Sequence, residues 1–198
     1  MNKQLIVIDA QEDFVRGALR NEEAIAALPV IREAVAYASR NFDRDIIYTK
    51  DTHNKDYLET QEGRNLPYPH CIKGSDGWKI CPEVLAEKSK IIEKNTFGSR
   101  LWDMQCLDTV DEIWLCGFCT DICVSANFQI LKSIYPEVPI VVIEDACAGV
   151  TKELHEAALK VMKSCQARIT ALSELIKTTE DARAHFAEIN PPPDAKSF

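Results

Sequence analysis

Residues 111–134 read DEIWLCGFCTDICVSANFQILKSI. An apolar run of strand length at 111–117 passes through a short polar stretch into a segment whose apolar residues recur at helical spacing. The same succession of a continuous apolar strand and a helical pattern recurs along the chain. Strands of this kind that alternate with helices are typical of a parallel sheet covered by helices on both faces.

The other strands and helices are placed around this unit. The further predicted strands are QLIVID (4–9), RDIIYTK (44–50), SKIIEK (89–94), VPIVVIED (138–145) and ARITAL (167–172), and helical patterns cover 22–41, 121–134, 152–164 and the chain from 173 onward. We therefore predict an α/β fold, a three-layer α/β/α sandwich with a six-stranded, mainly parallel sheet. A single domain spans 1–190, followed by the proline-rich tail 191–198, which cannot continue a helix.

Composition and charge narrow the class of protein. A hydrophobic fraction of 46% and a charged fraction of 27% are ordinary for a globular protein of 198 residues. The net charge of −8 argues against a nucleic-acid partner and against docking on an anionic membrane. No apolar run is long enough for a signal peptide or a membrane span, so we expect a cytoplasmic protein whose eight cysteines stay reduced.

Polar side chains stand where the predicted strands end. Asp9 ends the first strand, Asp51 and His53 follow the second, Lys94 ends the third, and Cys123 follows the fourth. Ligands of open parallel sheets bind beyond the carboxyl ends of the strands. An acid, an amine and a thiol are thus expected to meet at one edge of the sheet.

The position of Cys123 favours a reactive thiol. Thr120 or Asp121 is a natural N-cap, which would place Cys123 in the first turn of the next helix. The helix dipole there favours a thiolate, and a nearby Lys94 ammonium would lower the pKa of the thiol further.

The sequence also offers a general base and oxyanion donors for hydrolysis, although other interpretations of the cysteines are open. Asp9 can take the thiol proton and return it to a leaving amine, while backbone amides around Cys119 and Cys123 can donate to an oxyanion. The alternative is that Cys123 is a small buried apolar residue. A redox or zinc motif at Cys116 and Cys119 is disfavoured because no second CxxC follows, and Cys116 is interpreted as core.

The long polar connection 51–77 carries a second group of chemically active side chains. These are Asp51, His53, Glu62 and His70. Two histidines and two carboxylates suit one divalent metal ion, with zinc, iron or manganese as candidates and zinc preferred. The alternative is a polar loop with solvated histidines. The other two histidines, His155 and His185, lie in helical segments and are interpreted as structural or solvated.

Several stretches together resemble a known family. They are VIDAQEDF (7–14), DTH (51–53), LPYPHCIKG (66–74), EKNTFGS (93–99) and GFCTDICV (117–124). In this order and spacing they resemble the isochorismatase-like cysteine hydrolases, over most of the chain up to about residue 165. The metal-containing nicotinamidases of that family are the most similar group.

The resemblance implies a catalytic triad of Asp9, Lys94 and Cys123. Cys123 would form a thioester with the substrate while ammonia leaves. The Phe118–Cys119 peptide would be cis and would turn the amides of Cys119 and Cys123 toward an oxyanion.

The resemblance also implies how the metal and the substrate are held. Asp51, His53 and His70 would bind the metal, which in nicotinamidases binds the pyridine nitrogen and orients the amide. Glu62 stands where many relatives have a third histidine, with Glu59 or Asp56 as alternatives. The substrate would contact a further set of apolar side chains, namely Phe14 stacked on its ring, Phe118, and Leu66 or Tyr68 as a second wall.

The predicted function is therefore a cysteine amidohydrolase that cleaves a small carboxamide, with nicotinamide to nicotinate and ammonia as the first candidate. The alternatives are another small amide, such as a ureido or carbamoyl compound, isochorismate hydrolysis, or a non-catalytic binding module on the same fold. The expected partner is the small-molecule amide substrate. On the analogy with the family we also expect a homo-oligomer, either a dimer or a tetramer.

Overall fold

The structure, a computed structural model, describes the backbone of residues 1–189 and the side chains of residues 1–185. The predicted tail 191–198 lies outside the described residues. Six strands form one sheet in the order β3-β2-β1-β4-β5-β6, and each neighbouring pair is parallel. The predicted α/β fold with a six-stranded parallel sheet is confirmed.

The strands are Lys3–Ile8 (β1), Ile46–Asp51 (β2), Ser89–Lys94 (β3), Glu112–Phe118 (β4), Ile140–Ala148 (β5) and Arg168–Thr170 (β6). The helices are Glu12–Val15 (α1), Glu22–Asn41 (α2), Gln61–Asn65 (α3), Ser125–Ile134 (α4), Lys152–Ser164 (α5) and Leu172–Ile189 (α6). Short 3-10 turns lie at Tyr57–Glu59, Pro82–Val84 and Trp102–Gln105, and a π-helical turn lies at Thr120–Val124. None of the helices within the described residues is long and apolar enough to cross a membrane.

The centre of the sheet is its most apolar part. Strand β1 pairs with β4 from Lys3 opposite Glu112 to Ile8 opposite Gly117, and its residues 5–8 are buried. Helix α2 packs against β1, β2, β4 and β5, while α4 and α5 pack against each other beside the π-helical turn. Because successive strands run outward in opposite directions from β1 and β4, the order of the strands reverses between them. A crevice at such a point is where doubly wound sheets bind ligands.

Two segments differ from the sequence prediction. The predicted helix 121–134 begins later, because residues Thr120–Val124 form the π-helical turn and α4 starts at Ser125. Neither Thr120 nor Asp121 caps this helix. Each side chain instead contacts the β5–α5 region, where Thr120 Oγ1 lies 2.8 Å from His155 Nδ1 and Asp121 Oδ1 accepts from the Val150 amide. The polar connection 51–77 is not one open loop, since it contains a 3-10 turn and α3.

Gly117 permits the close approach of β4 to the end of β1. Its φ is 119°, and a Cβ there would overlap the carbonyl oxygen of Ile8. We expect Gly117→Ala to lower the free energy of unfolding by about 3 kcal/mol or more, measured by urea denaturation. Gly74→Ala is the matched control, because its φ is 86° but nothing lies within 4 Å of the added Cβ. This control is expected to cost about 1–2 kcal/mol, and equal losses would contradict a packing role for Gly117.

Candidate active site

A cavity of about 1050 Å³ opens beyond the carboxyl ends of β1 to β4. Its walls include Phe14, Asp51, His70, Cys119 and Cys123. Two of the strand-end residues singled out in the sequence, Asp51 and Cys123, therefore border this cavity, at the edge of the sheet where parallel strands bind ligands.

Asp9, Lys94 and Cys123 meet at the closed end of this site. Lys94 Nζ lies 2.6 Å from Asp9 Oδ2 and 3.6 Å from Cys123 Sγ. The Asp9 carboxyl group is also close enough to Cys123 to raise the pKa of the thiol. All three residues are buried, with exposures of 0% for Asp9, 5% for Lys94 and 6% for Cys123. A carboxyl group, an ammonium group and a thiol are thus in mutual contact away from bulk water.

Thr49 fixes the Asp9 carboxyl group in place. Asp9 follows β1 with a φ of 47°, and its backbone amide donates to Thr49 Oγ1 at 3.2 Å. The Thr49 hydroxyl in turn donates to Asp9 Oδ1 at 2.7 Å, which leaves Oδ2 for Lys94. Thr49 is not among the site residues predicted from the sequence. A polar residue within the apolar run IIYT was the available signal.

Burial controls the protonation of these groups. It raises the pKa of Asp9, although the charge of Lys94 opposes that change. Burial alone would lower the pKa of Lys94, but the charges of Asp9 and Cys123 outweigh it and raise that pKa, so Lys94 is an ammonium group. The pKa of Cys123 lies well above its usual value, first because of burial and then because of the Asp9 charge.

The surroundings of Cys123 do not favour a thiolate in the way that the sequence predicted. Cys123 lies in the π-helical turn and not in the first turn of an α-helix, and desolvation of the thiol exceeds the lowering effect of Lys94. A buried thiol beside a carboxylate keeps its proton until that proton can pass to the carboxylate.

Asn127 joins the turn that carries Cys123 to the segment after β3. Its amide nitrogen donates to the Cys123 carbonyl at 2.7 Å and to the Phe97 carbonyl at 3.0 Å. Its Oδ1 accepts from the Ser99 amide and from Trp102 Nε1 at 2.9 and 2.8 Å. The side chain is fully buried, so Asn127 is a positioning residue that the helical pattern alone did not reveal.

Asp51, His53, Glu62 and His70 form a second cluster on the cavity wall, and their ligand atoms lie within 4.8 Å of one another. His53 Nε2 lies 3.0 Å from Asp51 Oδ2 and 3.6 Å from Glu62 Oε1. His70 Nε2 lies 3.5 Å and 3.8 Å from the same two oxygens. Glu59 and Asp56, the alternatives to Glu62, do not belong to this cluster.

The chemistry of the cluster fits a divalent transition metal ion. His70 Nδ1 is hydrogen-bonded to the Tyr68 carbonyl at 2.8 Å, which directs Nε2 and its lone pair toward the carboxylates. Burial would raise the pKa of Asp51, but its contacts with His53 and His70 outweigh burial and lower that pKa. Two imidazoles with two carboxylates are a donor set for zinc, iron or manganese. The second acidic group, Glu12 with Cys81 and Glu83, is instead neutralised by Arg16.

Gln11 holds the start of this cluster. Its Oε1 accepts from the Asp51 amide at 2.7 Å, and its Nε2 donates to the carbonyls of Asp51 and Trp78, both at 2.9 Å. The side chain is fully buried. Both backbone groups of Asp51 are thereby fixed, and with them the direction of its carboxylate. Gln11 lies within a quoted motif but was not assigned this role.

Of the side chains predicted to contact the substrate, three line the cavity and one lies in the hydrophobic core. Phe14, Leu66 and Tyr68 line the cavity, with Leu66 and Tyr68 exposed near its mouth. Phe118 does not line it, because its side chain is fully buried behind Phe14, with 6.5 Å between the ring centroids. The predicted substrate contact of Phe118 is thus corrected. The Phe118–Cys119 peptide is cis, as the resemblance implied.

Removing one imidazole should weaken metal binding. We expect His70→Ala to bind zinc at least about 10–100-fold more weakly, because one of the two nitrogen donors is lost. Zinc affinity is measured by competition with a chromogenic chelator, and the metal content of the purified protein by mass spectrometry. Glu59→Gln is the matched control, a carboxylate of the same connection outside the cluster. Equal zinc affinity in His70→Ala and the native protein would contradict the site.

A parallel α/β sheet with a thiol, a carboxyl group and an ammonium group at its carboxyl edge defines an enzyme class equipped for nucleophilic chemistry. The model of the Isochorismatase domain matches residues 3–174, and the chain belongs to that family. A search of curated proteins found no match.

Solved structures similar to this chain include three amidases at modest sequence identity. The nicotinamidase/pyrazinamidase of Bacillus subtilis is 27% identical with a TM-score of 0.76, covering 86% of this chain and 100% of that one. The pyrazinamidase of Pyrococcus horikoshii in complex with zinc is 26% identical with a TM-score of 0.76, covering 87% and 100%. The N-carbamoylsarcosine amidase of Thermoplasma acidophilum, at 22% identity, a TM-score of 0.69 and coverage of 86% and 96%, shows the shared fold alone. The family and its nicotinamidase neighbours support an amidohydrolase that acts on C–N bonds.

Proposed function

We propose that this protein is a metal-assisted cysteine amidohydrolase that converts a small carboxamide, first of all nicotinamide, to the carboxylic acid and ammonia. The proposal rests on the contact of Asp9, Lys94 and Cys123 at the end of the cavity. The wall of the same cavity holds the cluster of histidines and carboxylates that suits a metal ion. The names of the Bacillus and Pyrococcus neighbours support nicotinamide-like amides as substrates.

The proposed first half-reaction begins with the buried thiol. Cys123 Sγ attacks the carboxamide carbon while its proton passes to the neighbouring carboxylate of Asp9, whose charge acts on the thiol. The Lys94 ammonium, 3.6 Å from Sγ, stabilises the negative charge that develops on sulfur. The backbone amides of Cys119 and Cys123 donate to the oxyanion. Asp9 then gives the proton to the amide nitrogen, the C–N bond breaks, and ammonia leaves a thioester on Cys123.

The second half-reaction releases the acid. A water molecule attacks the thioester carbon while Asp9 accepts one of its protons. The C–S bond breaks, and the proton returns from Asp9 to the Cys123 sulfur, which restores the resting thiol. The raised pKa of Asp9 suits a group that must accept and return a proton in each half.

Asp51, His53, Glu62 and His70 would hold the metal ion. When bound there, the ion supplies a Lewis-acid contact for a ring nitrogen of the substrate. The chain itself contributes the Phe14 ring at the same wall, which offers an aromatic face to a flat heterocycle. Burial of Asp51 and His70 excludes water from the same side.

A ureido acid is the second candidate substrate. Arg20 lines the same cavity as Cys123, and a guanidinium group pairs well with a carboxylate. Nicotinamide has no carboxylate for it to contact.

The experiment is ammonia release by the zinc-loaded protein from nicotinamide, pyrazinamide and an N-carbamoyl amino acid, with isochorismate hydrolysis measured in parallel. We expect the largest kcat/KM for nicotinamide. A larger value for the N-carbamoyl amino acid would move the assignment to ureido acids, and hydrolysis of none of them would contradict the amidohydrolase. The homo-oligomer and the cytoplasmic location stay predictions.

A further inference from the structure

His155, on the first turns of α5, contacts the turn that carries Cys123 and does not line the cavity. Its Nδ1 lies 2.8 Å from Thr120 Oγ1, and Thr120 is fully buried while His155 is half-buried. We propose that His155 is a positioning residue for the catalytic turn, holding the Cys119 amide and the Cys123 thiol in place through Thr120. The effect of His155 on catalysis rests on the proposed function, in which Cys123 is the nucleophile.

Thr120 belongs to the same hydrogen-bonded turn as Cys119 and Cys123. The Cys119 carbonyl accepts from the amides of Ile122 and Val124 at 3.1 and 3.0 Å. Residues 119–124 are therefore one hydrogen-bonded unit, and a displacement of Thr120 moves Cys119 and Cys123 with it. The donor amide and the nucleophile belong to the same unit, so one contact orients both.

The turn is tied to the β5–α5 region at two successive residues. Besides the contact of Thr120 with His155, Asp121 Oδ1 accepts from the Val150 amide at 3.0 Å. A Cβ on Gly149 would lie 2.9 Å from Asp121 Oδ1 and 2.9 Å from the His155 amide nitrogen. The turn and the start of α5 are thus packed too closely at this point for a side chain to lie between them.

The His155 side of the contact is itself fixed. The Thr151 hydroxyl caps α5 by accepting from the Leu154 amide at 3.2 Å, and the Thr151 carbonyl accepts from the His155 amide at 2.9 Å. Asn21 Nδ2 donates to the Gly149 carbonyl at 2.8 Å and anchors the preceding loop to the start of α2. His155 therefore presents its ring from a rigid support, as a positioning residue requires.

The charge state of the ring suits this contact. Burial lowers the pKa of His155, although the nearby carboxylates of Glu144, Glu156, Asp121 and Glu23 act in the opposite direction. A neutral imidazole has one acceptor nitrogen, and Nδ1 in that role can accept from the buried Thr120 hydroxyl, which would otherwise lack this partner.

Asparagine and glutamine at position 155 distinguish the hydrogen bond made by Nδ1 from the mere volume of the side chain. Asparagine places its amide near the position of Nδ1, whereas glutamine places its amide near Nε2. We expect His155→Leu to lower kcat about 10–100-fold with little change in KM or zinc content, since a shift of the reacting groups costs rate more than binding. His155→Asn should recover most of kcat, and His155→Gln should not. Glu153→Gln, an exposed carboxylate in the first turn of α5, is the control expected to keep native kinetics.

A double-mutant cycle tests the route through Thr120. Thr120→Val should lower kcat like His155→Leu, and the double variant should lose little more, because both remove one contact. Additive losses, equal behaviour of the asparagine and glutamine variants, or a change confined to thermal stability would each overturn the proposal.

A measurement without the amide substrate separates this inference from the proposed function. The rate at which iodoacetamide alkylates Cys123, followed by peptide mass spectrometry, should change in His155→Leu and return toward the native rate in His155→Asn. An unchanged rate in every variant would overturn the positioning role even if the protein proves an amidase. A native protein that hydrolyses no amide would contradict the proposed function. The alkylation rates would still decide whether His155 positions the turn.

Discussion

Cys123→Ala is expected to lose amide hydrolysis by more than about 10³-fold, because no other group in the site can form the thioester. The sulfur is the only nucleophile in contact with both Asp9 and Lys94 within the described residues. The measurement is ammonia release at saturating amide, with circular dichroism to verify the fold. Alanine is smaller than cysteine and leaves the Asp9–Lys94 ion pair intact, so the variant should remain folded.

Cys165→Ala provides the matched control for the loss of a thiol. Cys165 lies at the end of α5 and is only partly buried, so its removal should leave kcat at the native value. Retention of most of the activity in Cys123→Ala would disprove the nucleophile, whatever the other residues of the site do.

Asp9→Asn is expected to lower kcat/KM by about 10²–10⁴-fold, because the general base and acid of both half-reactions is removed. The pH dependence is a second readout. Since burial raises the pKa of Asp9, the native activity should fall with decreasing pH at values above the ordinary aspartate pKa of 3.8. The carboxylate is the active form for accepting the thiol proton, so activity is present above this pKa and lost below it. Asparagine does not titrate, so this acidic limb should be absent from the residual activity.

Asp9→Asn also removes the nearest partner of the buried Lys94 ammonium, at 2.6 Å, and leaves the Asp51 carboxylate at 3.5 Å. Removal of one member of a buried ion pair costs about 3–5 kcal/mol of stability, so rates are compared only at temperatures where both proteins are folded. Asp76→Asn is the control, an exposed carboxylate paired with Lys79 on the surface. An unchanged acidic limb in Asp9→Asn would contradict the assignment of the base.

The sequence predicts much of the fold because the buried strands are continuous apolar runs. The predicted bounds of β3, α2 and α5 match the structure, and the other strands are displaced by a few residues at their ends. The strand-end rule then predicts which polar residues meet, and Asp9, Lys94 and Cys123 do meet. Topology alone suffices for this step, since parallel strands bring their carboxyl ends to one edge.

The contacts that orient these groups depend on tertiary structure and could not be predicted in this way. Thr49, Gln11 and Asn127 each bind a segment remote in sequence. Thr49 is marked only as a polar residue within an apolar run, and the local pattern does not distinguish Gln11 and Asn127 from ordinary polar residues. The strand pattern likewise did not reveal that Phe118 faces the core. The pKa of Cys123 depends on how completely the surrounding protein removes water, which no motif encodes.

Metal-assisted hydrolysis of nicotinamide is tested most directly by the rate of ammonia release from nicotinamide. The rate is measured for the purified protein with zinc bound, after chelation, and after zinc is restored. We expect robust turnover that falls at least about 10-fold on chelation and returns with zinc, since a metal ion in the cluster of Asp51, His53, Glu62 and His70 would orient the substrate. A folded, zinc-loaded protein that releases no ammonia from nicotinamide would contradict nicotinamide as the substrate. Turnover that chelation leaves unchanged would contradict the metal site.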